Sequence, residues 1–520
     1  MQHTYKGKAI WQGLLLLVLL WPLTLSARSV SAEPSAPDRL WQQGIAYVPW
    51  AGIRYDDPNA DLMLERLVIV GADWISVSVP LLQDNYASTK VYITADTPSE
   101  DELTHVITAA HRRGLQVMLK IHLYLANDPD RWHGQVGEAF ERDRDWNRWF
   151  TSYGSWVMRY AELAERLGVD QFCVGTELGG TAQQKRYWSR LIKGVRQRYH
   201  GPITYAANHG EEVMVNWWDQ VDYIGVDGYY PLTDRYEATA DEIKAGWAPH
   251  IETLTQLFAR WGKPILLTEI GYASEDGCTT HPWVWTGSGT AIDLDEQAAA
   301  YQAMFESLSQ QPWFAGLFVW AVTTDPSQGG EKCDGFTPMG KPAESILAEW
   351  YGGTVSTTDT RLPTVDHTRA LDIYTDGLGE DWHNVSWAAA VDFYSTETPY
   401  SGSYTIVARM ESWGAISLLH EPLDTTGYAY VEFYIRPAMD DAPFWVYFYD
   451  DRDTELRRQL IQPGSYYIEG GHLVASAWQR VLVPLEHLDA ANRRVISFTI
   501  QEASGSSATI AVDDIRLVAA

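Results

Sequence analysis

The chain has 520 residues, too many for one ordinary domain, and 46% of them are apolar, enough for more than one core. That composition excludes a globally disordered chain. A formal charge of −29 excludes a surface made for nucleic acid or anionic membranes, and suits neutral substrates or plain solubility. The 24 Trp and 29 Tyr are the unusual feature; such rings serve as core mass or as flat platforms for sugars.

The N-terminus reads as an export signal. Lys6 and Lys8 give a positive start, Leu14 to Leu20 form an apolar run, and Val30-Ser31-Ala32 is a small-residue cleavage site. The run is short for a membrane span, is broken by Pro22, and no Cys follows it to carry a lipid. Cleavage of 1–32 and a secreted, extracellular or periplasmic protein are expected, against an uncleaved anchor. The mature chain then loses Lys6, Lys8 and Arg28 and no acid, so 39 bases become 36 against 68 acids, a net −32. A monomer with no nucleic-acid or membrane partner is expected. Cys173 lies in an apolar run and reads as a buried free thiol; Cys278 and Cys333 lie in loop-like sequence and form the candidate disulfide.

From residue 44 to about 351, apolar runs alternate with helical patterns. The strand candidates are 44–50, 73–79, 115–122, 169–177, 202–208, 221–229, 263–272 and 314–322. They are apolar almost throughout, as parallel strands buried on both faces must be. Helices are expected from the Ser99/Glu102 capping box to Gly114, then over 139–167, 181–199, 241–260 and 293–310. The pattern predicts eight β/α units and an α/β TIM barrel, (β/α)8, over 33–351. A doubly wound sheet is the alternative, but no Gly-rich phosphate fingerprint follows the first strand. Residues 352–366 (GGTVSTTDTRLPTVD) read as a linker. Over 367–520, short alternating strands such as YAYVEFYIR, FWVYFYD and VISFTI predict an all-β jelly-roll sandwich.

Barrel active sites form where strands end, so polar residues at strand C-termini are the place to look. Glu177 ends the fourth strand (CVGTELGG) and Glu269 the seventh. Cys173, Gly175 and Glu177 share one parity, as do Ile265, Leu267 and Glu269, so both acids are expected to point into the mouth. Two facing carboxylates are what glycoside hydrolysis requires. The bland alternative is a pair of ion-paired rim residues. No H-E-x-x-H, Cys-pair zinc spacing or G-x-S-x-G elbow appears in a supporting context. No cofactor is expected for catalysis.

The motifs VGTEL (174–178) and TEIGYAS (268–274), followed by Pro282-Trp283, resemble clan A of the glycoside hydrolases and, more narrowly, glycoside hydrolase family 113, the β-mannanases. The resemblance covers about 40–350. It implies a retaining hydrolase of β-linked polysaccharide or oligosaccharide, with Glu177 as acid/base and Glu269 as nucleophile. It implies that Tyr229 bonds the nucleophile and that Trp320 floors the cleavage point. Lys120, His122, Asn208 and Asp227 would bind sugar hydroxyls, or satisfy one another. Trp50, Trp283 and Trp285 are candidate stacking platforms. Many clan A enzymes place Asn before the acid/base; here that position is Thr176. Rival readings are a β-glucanase or exo-glycosidase of the same clan, and an inert sugar-binding barrel. The C-terminal part resembles carbohydrate-binding modules, with Trp413 or Trp445 as ring platforms or core residues. Asp372 with the Asp513-Asp514 pair would hold a structural calcium ion, or be plain surface acids.

Overall fold

A computed structural model describes residues 41–49, 53–284, 290–326, 328–355, 362–462 and 467–520. The expected leader, Trp50, Trp285 and part of the expected linker lie outside the described residues. Among the described residues no helix is long and apolar enough to cross a membrane.

Eight parallel strands close in chain order into a barrel: β1 (Gln42–Val48), β2 (Trp74–Gln83), β3 (Gln116–Leu125), β4 (Gln171–Thr176), β5 (Ile203–Asn208), β6 (Ile224–Asp227), β7 (Ile265–Ile270) and β8 (Phe314–Thr323). Each is buried inside by the barrel and outside by helices, which is why the runs lack alternation. Trp74, Met118, Cys173, Ala206, Leu266 and Phe318 meet inside and plug the lower barrel.

Helices α1 (Pro58–Ile69), α2 (Glu100–Arg112), α3 (Asp143–Leu167), α4 (Lys185–Arg196), α5 (Ala240–Trp261), α6 (Leu294–Leu308) and α7 (Pro342–Tyr351) form the outer ring. The capping box that starts α2 has both its bonds, Glu102 N–H to Ser99 Oγ at 3.1 Å and Ser99 N–H to Glu102 Oε2 at 2.8 Å. Gly168, at φ 68°, ends α3 in the left-handed conformation that glycine adopts without penalty. The expected eighth α-helix is absent: residues between β5 and β6 form only a 3-10 turn, Trp218–Gln220. Trp217 and Trp218 are fully buried there, and Trp217 stacks on Trp188 of α4 at 4.8 Å. Two indoles thus fill the space a helix would cover.

The simple parity argument fails on two strands. Leu266, not Leu267, faces the barrel interior, and the β7 register shifts before Ile270. On β4 the register shifts between Cys173 and Thr176. A side chain at Gly175 would point at the helices, with its Cβ 2.8 Å from the Tyr153 hydroxyl. Both carboxylates reach the mouth because irregularities re-aim them, a common use of a bulge beside an active site.

The C-terminal body is antiparallel: β9 (Asp366–Tyr374), β10 (His383–Asn384), β11 (Trp387–Ser395), β12 (Thr405–Asp424), β13 (Tyr430–Pro437), β14 (Phe444–Asp450), β15 (Gln459–Ile461), β16 (Gln479–Pro484), β17 (Arg494–Glu502) and β18 (Ala508–Ala519). One curled sheet runs β15-β14-β17-β12-β18-β13-β16, with β10 and β11 on β12 and β9 on β18. The long β12 joins two layers: Ile406–Met410 pairs with β18, and Ala415–Asp424 with β17. Phe444, Val446, Phe448, Ile416, Leu418, Phe498 and Ile500 line its core. Trp413 and Trp445 lie off that core.

Barrel and sandwich belong to one compact unit, Leu40–Ala520. Leu62 of α1 packs on the sandwich core, Asn59 bonds Gln459 at 3.3 Å, and Gln462 bonds Asp325 at 3.0 Å.

Two expectations are corrected. All three cysteines are free thiols, so the Cys278–Cys333 bridge is not formed. Cys278 is buried, while the main chain of Cys333 holds the Ser274 hydroxyl at 2.7 Å. The calcium place between Asp372 and Asp514 is taken by Arg516, which bonds them at 2.8 and 2.9 Å. A guanidinium already neutralises both carboxylates there.

Candidate active site

Glu177 and Glu269 line one cavity of ≈ 140 Å³ in the barrel mouth, with Tyr229, Trp283, Trp320 and Phe336. His122, Tyr124 and His133 complete its wall.

Glu269 is buried and held by two donors. Lys120 Nζ reaches Oε1 at 2.6 Å, and the Tyr229 hydroxyl donates to Oε2 at 2.9 Å. His122 Nε2 stands 3.4 Å from Oε1 without hydrogen-bond geometry. Burial and the Lys120 charge both push His122 down, so its ring is neutral.

Lys120 and Asp227 are 0% exposed, so neither reaches a sugar hydroxyl; Lys120 links Asp227 to Glu269 instead. Lys120 Nζ also bonds Asp227 Oδ1 at 3.0 Å, and the Thr268 hydroxyl donates to the same oxygen at 2.8 Å. Burial works against the ammonium, but the Asp227 and Glu269 charges more than offset it and keep Lys120 charged. Two carboxylates then face one cation. Burial and the Glu269 charge push Asp227 far above the usual carboxylate range. Glu269 is raised by burial and by Glu177, but Lys120 and Tyr229 pull it back. The shared proton therefore belongs on Asp227, and Glu269 stays ionised.

Glu177 sits just past β4 in a different setting. Its φ is +51°, a left-handed conformation that strains any residue but glycine. Two bonds hold it: its N–H to Ala206 O at 2.7 Å, and the next N–H to the Tyr205 hydroxyl at 2.9 Å. Its Oε2 meets His133 Nε2 at 3.2 Å. Thr176 is buried, and its hydroxyl donates to Ile121 O at 2.9 Å, away from the mouth.

Trp320 stacks on His122 with centroids 6.3 Å apart, and Trp283, 42% exposed, stacks on His209 at 4.9 Å. Asn208 ends β5 half-buried; its carbonyl accepts the Glu211 N–H at 2.9 Å, shaping the next loop. The sequence reading missed Tyr124, His133 and Phe336. Tyr124 shares the parity of Lys120 and His122 and was open to the same argument. His133 and Phe336 come from connections and carry no periodic signal.

Two carboxylates in the mouth of a closed barrel, with rings around them, are the working parts of a glycoside hydrolase, and that is the class of this protein. Residues 47–341, more than half of the chain, match the family model of Glycoside Hydrolase Family 113. The chain belongs to that family, and its substrate is a polysaccharide or oligosaccharide. A solved family 113 β-1,4-mannanase is 28% identical over 60% of this chain and 99% of its own, with a TM-score of 0.55. The family 113 β-mannanase from Alicyclobacillus acidocaldarius, in complex with ManMIm, is 29% identical over 61% and 99%, with a TM-score of 0.53. No curated protein sequence matches the chain.

Proposed function

We propose that the protein is a retaining endo-β-1,4-mannanase. The observation that carries the mechanism is the contrast between the two carboxylates of one cavity. Glu269 is buried, ionised and fixed by Lys120 and Tyr229, as a nucleophile should be. Glu177 sits beside His133 in a partly open place, where it gives and takes protons. Glu269 attacks the anomeric carbon while Glu177 protonates the leaving oxygen. Water, deprotonated by Glu177, then releases the sugar from Glu269. Trp320 floors the reacting sugar and Trp283 stacks beyond it.

The mannanase specificity is supported by the two family 113 structures. It is also supported by Thr176, whose hydroxyl is spent on Ile121 O and leaves the sugar 2-hydroxyl to other groups. An axial 2-hydroxyl, as in mannose, points elsewhere than the equatorial one of a glucan. We further propose export after cleavage at Ala32, and a glycan-holding role for the sandwich. Trp387 and Trp413, 39% and 52% exposed, supply its platform.

Reducing-sugar release from mannan, glucan and xylan tests the specificity. Mannan should be preferred, and Glu269→Ala should lower kcat by at least about 10³-fold. A first product of inverted stereochemistry, seen by NMR, refutes the nucleophile role. Mass spectrometry of the exported protein should find Glu33 at its N-terminus.

A further inference from the structure

The sandwich carries a second face, made of rings and polar groups. Its core takes the even-numbered residues of three strands: Phe444, Val446 and Phe448 of β14, Ile416 and Leu418 of β12, Phe498 and Ile500 of β17. The odd-numbered residues point the other way. Trp445, Tyr447 and Tyr449 therefore form a ladder of rings on the opposite face of β14. The register extends that face sideways: Trp387 pairs with Ala415, Ala415 with Gln501, Gln501 with Trp445, and Trp445 with Leu460. Paired residues share a face, so this row crosses from β11 to β15, about 19 Å at the usual strand spacing.

Bonds within the face hold it in shape. Gln501 Nε2 donates to the Trp413 carbonyl at 3.0 Å, the same carbonyl that Trp387 bonds. Gln501 Oε1 accepts from the Tyr447 hydroxyl and from Arg458, both at 3.1 Å. Arg458 lies 4.5 Å over the Tyr447 ring and pairs with both Glu455 oxygens, at 2.6 and 2.7 Å. The Tyr449 hydroxyl donates to Glu455 at 3.2 Å. Opposite Tyr449, the buried Ser497 hydroxyl has no partner. Glu455 neutralises Arg458, so the strip offers donors and acceptors without net charge. That suits neutral hydroxyls over an anion. Trp387 and Trp413 stand exposed at one end, and Trp445 and Tyr449 are half-buried.

The other end of the row meets the barrel. Two residues past Leu460, Gln462 bonds Asp325 at 3.0 Å, and Asp325 lies just past β8. That strand carries Trp320 into the catalytic cavity. Next to Leu460, Gln459 bonds Asn59 in the first turn of α1, which also starts at the mouth end of the barrel. We propose that the outer face of β14 and β17 binds the same neutral β-linked glycan that the barrel cuts, so that one chain lies on the cavity and, past β8, on the sandwich at once. The proposal rests on the glycan-holding role of the sandwich, and adds the site and the ligand. Rings stack on the sugars, and the Gln501–Arg458–Glu455 strip meets their hydroxyls. Both bodies belong to one compact unit, so a chain seated in the cavity is held at high local concentration beside the face.

The test is calorimetric titration of the full chain carrying Glu269→Ala, which leaves the glycan uncut. The probes are mannotriose, too short to span both places, and a long soluble mannan. The long chain should bind at least about tenfold more tightly. Trp445→Ala and, as a second variant, Tyr449→Ala should each remove most of that gain, with the mannotriose affinity and the melting temperature unchanged. Saturating the cavity with mannotriose should weaken the long chain about tenfold, because its two holds then act singly. A long-chain gain that survives in both variants overturns the proposal. So does a loss that is equal for short and long chains, the mark of a merely structural role. Long-chain binding indifferent to mannotriose overturns the sharing of one chain. If mannan is hydrolysed by the wild type yet shows no long-chain gain, only this proposal fails. If mannan is neither bound nor cut, the mannanase reading fails with it.

Discussion

Lys120 and Asp227 are the residues on which the charge state of Glu269 depends. A buried cation between two carboxylates leaves one negative charge to be neutralised, and a proton on Asp227 does so at least cost. Lys120→Met removes the cation while leaving burial and the Glu177 charge, both of which raise Glu269. Glu269 then takes up its proton at higher pH. The acid limb of kcat/KM should move up, and kcat at neutral pH should fall by about 10²-fold or more. Asp227→Asn replaces a neutral carboxyl with a neutral amide and should leave that limb where it is. These residues were legible as polar groups in a barrel mouth. Their roles were not, because strand position does not tell a side chain that touches sugar from one that touches another side chain.

At the scale of elements, the two irregular strands decide the chemistry. Gly175 lets β4 press against α3 and α4, where an added Cβ would meet the Tyr153 hydroxyl at 2.8 Å and Trp188 at 3.1 Å. Gly175→Ala should cost about 1–3 kcal/mol of stability and tilt the end of β4. Thermal melting should show the first effect, and a kcat loss larger than any change in KM the second. The strands were readable because burial on both faces leaves uninterrupted apolar runs, and α2 because its capping box is local. The bulges were not, since period-two counting assumes none. Nor was the missing helix between β5 and β6, because Trp217 and Trp218 look as much like a helix face as a plug. In the sandwich, β11 and β12 bring Trp387 and Trp413 together, the Trp387 Nε1 donating to the Trp413 carbonyl at 3.2 Å. Replacing both by Ala should weaken retention of the full chain on insoluble glycan about tenfold or more, with hydrolysis of soluble oligosaccharide unchanged.

At the scale of the molecule, the reading as two bodies joined by a linker is incomplete. Chain composition marks 352–366 as a joint, but composition is silent on surfaces that meet elsewhere. Leu62 among the sandwich residues, Asn59 on Gln459 and Asp325 on Gln462 are such meetings. Calorimetry of the full chain should therefore give one cooperative transition, not two. Removing 367–520 should lower the melting temperature of the barrel, because it bares the α1 face.

The Asp325–Gln462 contact has a consequence for assembly. If the surfaces hold the two bodies together, the covalent connection becomes dispensable once folding is complete. A protease site introduced within 356–361 and then cut should leave two fragments that travel as a single species in gel filtration and keep their activity. Mixed after separate production, the halves should complement one another, so the joint is written in matching surfaces and not in the chain that crosses it.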